Sequence, residues 1–184
     1  GWMPEEIVDG VLPTSLAGVS VEVDGKAAGI SFVGPNQINI QIPNDVSVGR
    51  VSVKVAGPTG LSEAETVVQP VAPALFTIRV GNQDTVVAQH ADGSPVGRPD
   101  QIAGGTPARA GEVIVIYGTG FGVTEPARPS GQLIDPAPLA ASFLPRIGET
   151  VIANEFGGII GPGLYQFNIR VPVNITGDQP VSIE

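Results

Sequence analysis

One short idea is spelled twice in this chain. Residues 34–43 read GPNQINIQIP and residues 161–172 read GPGLYQFNIRVP. In the first, Ile38, Ile40 and Ile42 alternate with Gln37, Asn39 and Gln41. In the second, Phe167, Ile169 and Val171 alternate with Gln166, Asn168 and Arg170. A period of two sends successive side chains to opposite faces of a strand. Each stretch therefore predicts a strand with an apolar core face and a polar outer face. Pro43 and Pro172 close these strands, because proline cannot donate to a sheet ladder.

The likeness extends outward. VEVDG at 21–25 aligns with LPRIG at 144–148 at an offset of 123, QIN aligns with QFN at 129, and VSV at 51–53 aligns with VSI at 181–183 at 130. The change in offset marks a six-residue insertion near Gly157-Gly158-Ile159-Ile160. Two copies of one β module follow, each long enough for a small sandwich. Between them, LFTIRV (75–80) and TVVAQH (85–90) flank GNQD, a hairpin signal. ADGSP reads as a second turn and GRPDQIAGGTPARAG as a linker. EVIVIYGTGFG opens the second copy with a buried strand at 112–117. No stretch combines helical periodicity with caps, so the expected class is all-β. The 25 glycines and 18 prolines among 184 residues agree, since they cut the chain into short segments.

The expected organisation is a first module at 1–73, a connecting hairpin and linker at 74–110, and a second module at 111–184. At the 123 offset Gly1 falls opposite Thr124, so the first copy is expected to lack its opening strand. At the 130 offset Glu184 falls opposite Lys54, so the second copy is expected to lack a counterpart of GPTGLSEAETVVQPVAP (57–73). Open sheets expose unpaired backbone groups and invite strand addition. Either the chain is excerpted from a longer array or other chains complete it.

In order along the chain, LPTSLAGVSVEVDGKAAGISFVGPNQINIQIP, VAPALFTI, ADGSP, AGEVIVIYGTGFG and GPGLYQFNIRVP together resemble a known family. It is the uncharacterised domain at the C-terminal ends of large secreted proteins of Solibacter-type acidobacteria. YGTGFG also looks like the opening of IPT/TIG-type immunoglobulin-like domains. The resemblance spans nearly the whole chain. It implies two tandem immunoglobulin-like β-sandwiches in an extracellular or cell-surface array, and it supplies no catalytic residues.

Composition narrows the chemistry. The net charge is −9, with two lysines and scattered arginines, which argues against a nucleic-acid surface. Without cysteine there are no disulfides, thiolate metal sites or cysteine nucleophiles. No apolar run approaches the roughly 18 residues of a membrane-spanning helix, and no signal peptide is visible at Gly1-Trp2-Met3.

YGTGFG has the spacing G-x-G-x-G, not that of a dinucleotide loop, and the VTEPARP after it is a poor helix start. A tight turn with Phe121 packed inward is expected. His90, the single histidine, is expected at the surface or as a cap, and a catalytic relay would have to use it. Asp9, Asp24, Asp45, Asp84, Asp92, Asp100, Asp135 and Asp178 mostly stand in turn-like contexts, where Asp accepts local backbone hydrogen bonds. No cofactor is expected, and a calcium ion bridging turn carboxylates is the alternative. The NIT at Asn174 is a glycosylation sequon.

The candidate interaction surface is the polar row Gln37, Asn39 and Gln41, its copy Gln166, Asn168 and Arg170, and the apolar Trp2. Carboxamides can hold sugar hydroxyls or pair with another strand. Trp2 and Met3 either tuck back onto the first module or pack on a neighbour. The functional expectation is a non-enzymatic extracellular structural module that assembles through incomplete sheets with itself or with neighbouring β-domains. The alternatives are a carbohydrate-binding or adhesion module and an accessory domain of a larger secreted enzyme.

Overall fold

The computed structural model describes residues 7–184. Trp2 and Met3 lie outside the described residues. The fold is all-β, and no helix occurs among the described residues. The chain divides into two compact units. Unit 1 comprises Gly1–Val71, Ala127–Asp135 and Gly161–Gly163, and unit 2 comprises Ala72–Pro126, Pro136–Ile160 and Leu164–Glu184.

The early strands are β1 (Ser15–Leu16), β2 (Val19–Val23), β3 (Lys26–Ala27), β4 (Gly29–Gly34), β5 (Gln37–Gln41), β6 (Gly49–Gly57) and β7 (Gly60–Val68). A five-stranded sheet runs β1-β2-β6-β7, with β3 also on β2, and β4 and β5 form a separate hairpin. Asp24 and Gly25 turn the β2–β3 hairpin at φ 54° and 72°, the left-handed region that Asp-Gly turns supply. Leu16, Val21, Val23, Ala28, Ile30 and Val51 form the core, and Ile38, Ile40, Val53 and Val68 pack against it. The alternation expected at 37–42 holds for Ile38 and Ile40, whereas Ile42 is 43% exposed, past the end of β5.

Two distant segments complete unit 1 through backbone bonds. Leu12 N–H donates to Gly131 O and Leu133 N–H to Gly10 O, each at 2.6 Å. Gly131 N–H also donates to Gln41 Oε1 at 2.6 Å.

The later strands are β8 (Ala74–Leu75), β9 (Thr77–Val80), β10 (Gln83–Val86), β11 (Ala88–His90), β12 (Val113–Thr119), β13 (Ala137–Pro138), β14 (Pro145–Ile147), β15 (Thr150–Val151), β16 (Asn154–Gly161), β17 (Leu164–Arg170) and β18 (Val181–Ile183). A six-stranded sheet runs β11-β12-β17-β16-β13, with β8 also on β12; a three-stranded sheet runs β15-β14-β18. The expected hairpin around GNQD forms as β9–β10, with Gln83 opposite Val80. Segment 74–110, expected as a connector, also supplies β8 and β11 to the sheet that holds β12. The stretch read as a linker is tied down too, by a parallel bridge between Val96 and Thr106. On β12, Ile114 and Ile116 are buried, while Val113, Val115 and Tyr117 are half-buried, so the strand expected to be buried throughout has one buried face. The same pattern runs along β17, where Tyr165, Phe167 and Ile169 are buried.

Two parts of the topology are alike. β3-β2-β6 and β15-β14-β18 share one order, and β4–β5 and β16–β17 are successive paired strands. The turn equivalence sits one residue beyond the expected 123 offset. Val23 pairs with Lys26 around Asp24-Gly25, and Ile147 pairs with Thr150 around Gly148-Glu149. β16 has eight residues where β4 has six.

Candidate functional site

The two polar rows are built alike. Gln37 Nε2 donates to Asn39 Oδ1 at 2.6 Å, and Gln166 Nε2 donates to Asn168 Oδ1 at 2.8 Å. Residues two apart on a strand share a face, so these bonds run along each strand. Their exposure differs: Gln37 and Asn39 are exposed, whereas Gln166 and Asn168 are half-buried. The third members serve the fold. Gln41 accepts from Gly131, while Arg170 donates to Gly111 O at 2.8 Å and pairs with the Glu155 carboxylate. The row in β17 lies beside β12, with Gln166 opposite Tyr117 and Asn168 opposite Val115. Tyr117 in turn donates its hydroxyl to Gln89 Oε1 at 2.9 Å.

His90 is more enclosed than expected. Its side chain is 12% exposed, and Nδ1 lies 3.1 Å from Glu112 Oε1. Nε2 lies 2.9 Å from Thr106 Oγ1 and 3.1 Å from Thr106 O. With the proton on Nδ1, the ring donates to Glu112 and accepts from the Thr106 hydroxyl. When protonated on both nitrogens it donates to Glu112 and to the Thr106 carbonyl. Glu112 also accepts from Arg109 N–H at 2.8 Å. The cluster joins β11, the 106–109 segment and Glu112 just before β12. Sequence reading missed it because its members lie 16 and 6 positions apart, with no residue pattern linking the end of β11 to Thr106 and Glu112.

YGTGFG is a packing turn. Phe121 packs against Phe167 with ring centroids 4.6 Å apart and against Tyr165 at 5.7 Å. Gly120 has φ 76°, and a Cβ there would collide with the Ala72 carbonyl. This close approach lets Ala72 N–H donate to Gly120 O at 2.9 Å. Burial raises the Tyr165 hydroxyl above its ordinary pKa of 10.0, and that hydroxyl donates to Gly122 O.

Three of the turn carboxylates lie below their ordinary pKa of 3.8. Ser47 holds Asp24 down, Lys26 holds Asp45 down and Ser94 holds Asp92 down. Asp92 Oδ1 accepts from both Ser94 N–H at 2.9 Å and Ser94 Oγ at 2.6 Å, the local bonding that Asp brings to turns. Among the described residues no group of three or more His, Asp or Glu side chains is placed to hold a metal ion.

Unit 2 contains a cavity of about 1400 Å3. Val86, Ile102, Ile114, Ile116, Ile175 and Ile183 give it apolar walls, and Asp84, Arg98 and Asp178 also line it. Arg98 is engaged by Asp100, at 3.1 Å between Nη2 and Oδ2. Sequence reading missed this cavity because it depends on where β9, β10 and the 175–183 segment lie over β12. Compared with family models, curated proteins and solved structures, the chain matches none of them.

Proposed function

We propose that the chain is a non-enzymatic structural and interaction module of an extracellular or cell-surface β-array. The observation that carries this reading is the duplicated Gln–Asn bond. The same polar pair recurs in both copies, and in each it is spent on its own strand. A duplicated feature that satisfies itself is what two copies of a structural part share, since they have core and turn requirements in common without a common ligand. The ordered motifs quoted above support the same reading through their resemblance to the Solibacter-type domain, with two tandem immunoglobulin-like sandwiches as its architecture.

The runner-up is a carbohydrate-binding or adhesion module, favoured by the exposed carboxamides of Gln37 and Asn39. Glycan-array and polysaccharide-retention assays on the intact chain separate the two. A structural module gives no saturable retention. Saturable binding that is lost in Gln37→Ala and Asn39→Ala overturns the structural reading in favour of sugar recognition.

A further inference from the structure

We propose that the open edge of β7 in one molecule pairs with the open edge of β18 in a second copy, covering the apolar cavity of unit 2. This rests on the structural-module reading and names the two surfaces through which such a module assembles.

The donor is β7. It has nine residues and pairs with a strand only on its β6 side among the described residues. Its residues from Gly60 to Val67 are exposed, with Leu61 at 67% and Val67 at 58%. A long edge of unpaired N–H and C=O groups is a template for another strand, and proteins usually guard such edges with lysine, proline or a bulge. β7 has no lysine or proline, and its pairing with β6 runs without a bulge from Gly60 to Val68. Its two acids are matched from β6, Glu65 by Arg50 at 2.9 Å and Glu63 by Lys54 at 3.8 Å. The edge therefore repels a partner far less than the net charge of −9 suggests.

The acceptor is β18. It pairs with β14 on one side, and its other side carries no strand among the described residues. Val181 and Ile183 both line the cavity.

The molecule itself shows what such a strand accepts. Val181-Ser182-Ile183 matches Val51-Ser52-Val53 of β6, and β6 lies beside β2 as β18 lies beside β14. On the side away from β2, β6 carries β7, with Thr66, Glu65 and Ala64 opposite Val51, Ser52 and Val53. Val68 at the end of β7 packs on the core of unit 1. Added to β18 through its opposite, open edge, a strand of this sequence sets small and β-branched side chains beside Val181 and Ile183. Donor and acceptor are different surfaces, so the contact is heterologous and each molecule added offers a new edge. The acceptor edge is short, three residues, so the association is expected to be weak and to show as a concentration dependence.

The test is light scattering across a concentration series, on the intact chain and on edge-blocked variants. Consecutive N–H groups of a strand point to opposite edges, so one of Ala64→Pro and Glu65→Pro spares the β6 ladder. Likewise one of Val181→Pro and Ser182→Pro spares the β14 ladder. From each pair the variant that keeps the wild-type melting temperature is used. We expect the wild-type mass to grow with concentration beyond a dimer, and each blocked variant alone to stay monomeric. An equimolar mixture of the two variants should form dimers and nothing larger, because only one intact donor and one intact acceptor remain per pair.

A monomeric wild type throughout the series overturns the proposal. So does self-association that survives the β18 block, which would mean β7 pairs with itself, or that survives the β7 block. A monomer that takes up a hydrophobic dye stoichiometrically assigns the cavity to a small apolar ligand and overturns it equally. None of these results touches the glycan assays, so the structural-module reading stands or falls separately.

Discussion

Gln166 donates its carboxamide to Asn168 on a half-buried face, while Gln37 makes the same bond to Asn39 in the open. The pairs are chemically equal and differ in surroundings. Their worth to the fold should differ accordingly.

Removing the acceptor tests this. A buried donor left unsatisfied costs more than an exposed one, which water can serve. Asn168→Ala should cost about 1–2 kcal/mol and Asn39→Ala within about 0.5 kcal/mol. Urea denaturation of the two variants measures both, and equal losses would mean that local burial does not set the value.

Gly120 and Gly25 make a controlled comparison. Both have positive φ, 76° and 72°, but a Cβ meets the Ala72 carbonyl at Gly120 and open space at Gly25. Gly25→Ala should cost about 1 kcal/mol from backbone strain alone. Gly120→Ala should cost about 3 kcal/mol or more, since it must also displace the chain entering β8. Thermal melts of the pair give the difference directly.

Phe167 is fully buried, with Phe121 and Phe143 at its edges, 4.6 and 5.1 Å between centroids. Phe167→Ala should destabilise by about 3–5 kcal/mol. Val173→Ala, at a residue 79% exposed, should stay within about 0.5 kcal/mol. Denaturation midpoints at equal slope check the contrast.

Acid should loosen the turns first. Asp24, Asp45 and Asp92 have folded pKa values below 3.8, held there first by Ser47, Lys26 and Ser94 respectively. A depressed carboxylate binds its proton more readily in the unfolded chain. Its contribution is therefore complete above the ordinary value and is lost as pH falls through the folded one. Stability should thus decline as pH drops below about 4. Asp92→Asn should flatten that decline, which melting temperatures between pH 2 and 7 would show.

The His90 cluster should govern local motion more than global stability. His90→Ala removes the bonds to Glu112 and Thr106, while the backbone bonds of Gly97 to Thr106 O and Thr106 to Pro95 O remain. Hydrogen exchange at Gly97 and Thr106 should quicken by about tenfold or more. Unchanged exchange would show that the ring is a bystander there.

The strands were legible where side chains carry the pattern. Ile38 and Ile40, and Phe167 and Ile169, announce their faces by alternation, and Phe121 announces its turn through the glycines around it. Asp24-Gly25 was legible as a turn because few residue pairs hold two positive φ values. The rest is backbone work. Leu12 meets Gly131 and Leu133 meets Gly10 through N–H and C=O groups alone, and such bonds leave no trace in residue type. Within the candidate surface, the polar rows could be named from sequence. That Gln41 and Arg170 are spent on Gly131, Gly111 and Glu155 could not, because those partners are distant in the chain.

The discontinuity of unit 1 has a consequence in time. A chain emerging from its N-terminus can form the β2–β3 and β4–β5 hairpins early, as all their partners are near neighbours. Leu12 and Gln41 must wait until residue 131 has been made, about 90 residues after Gln41. At about 5–20 residues per second, synthesis leaves those groups without their partner for about 5–25 seconds. During that interval the nascent chain presents Leu12 and the β5 end to whatever chaperone meets it.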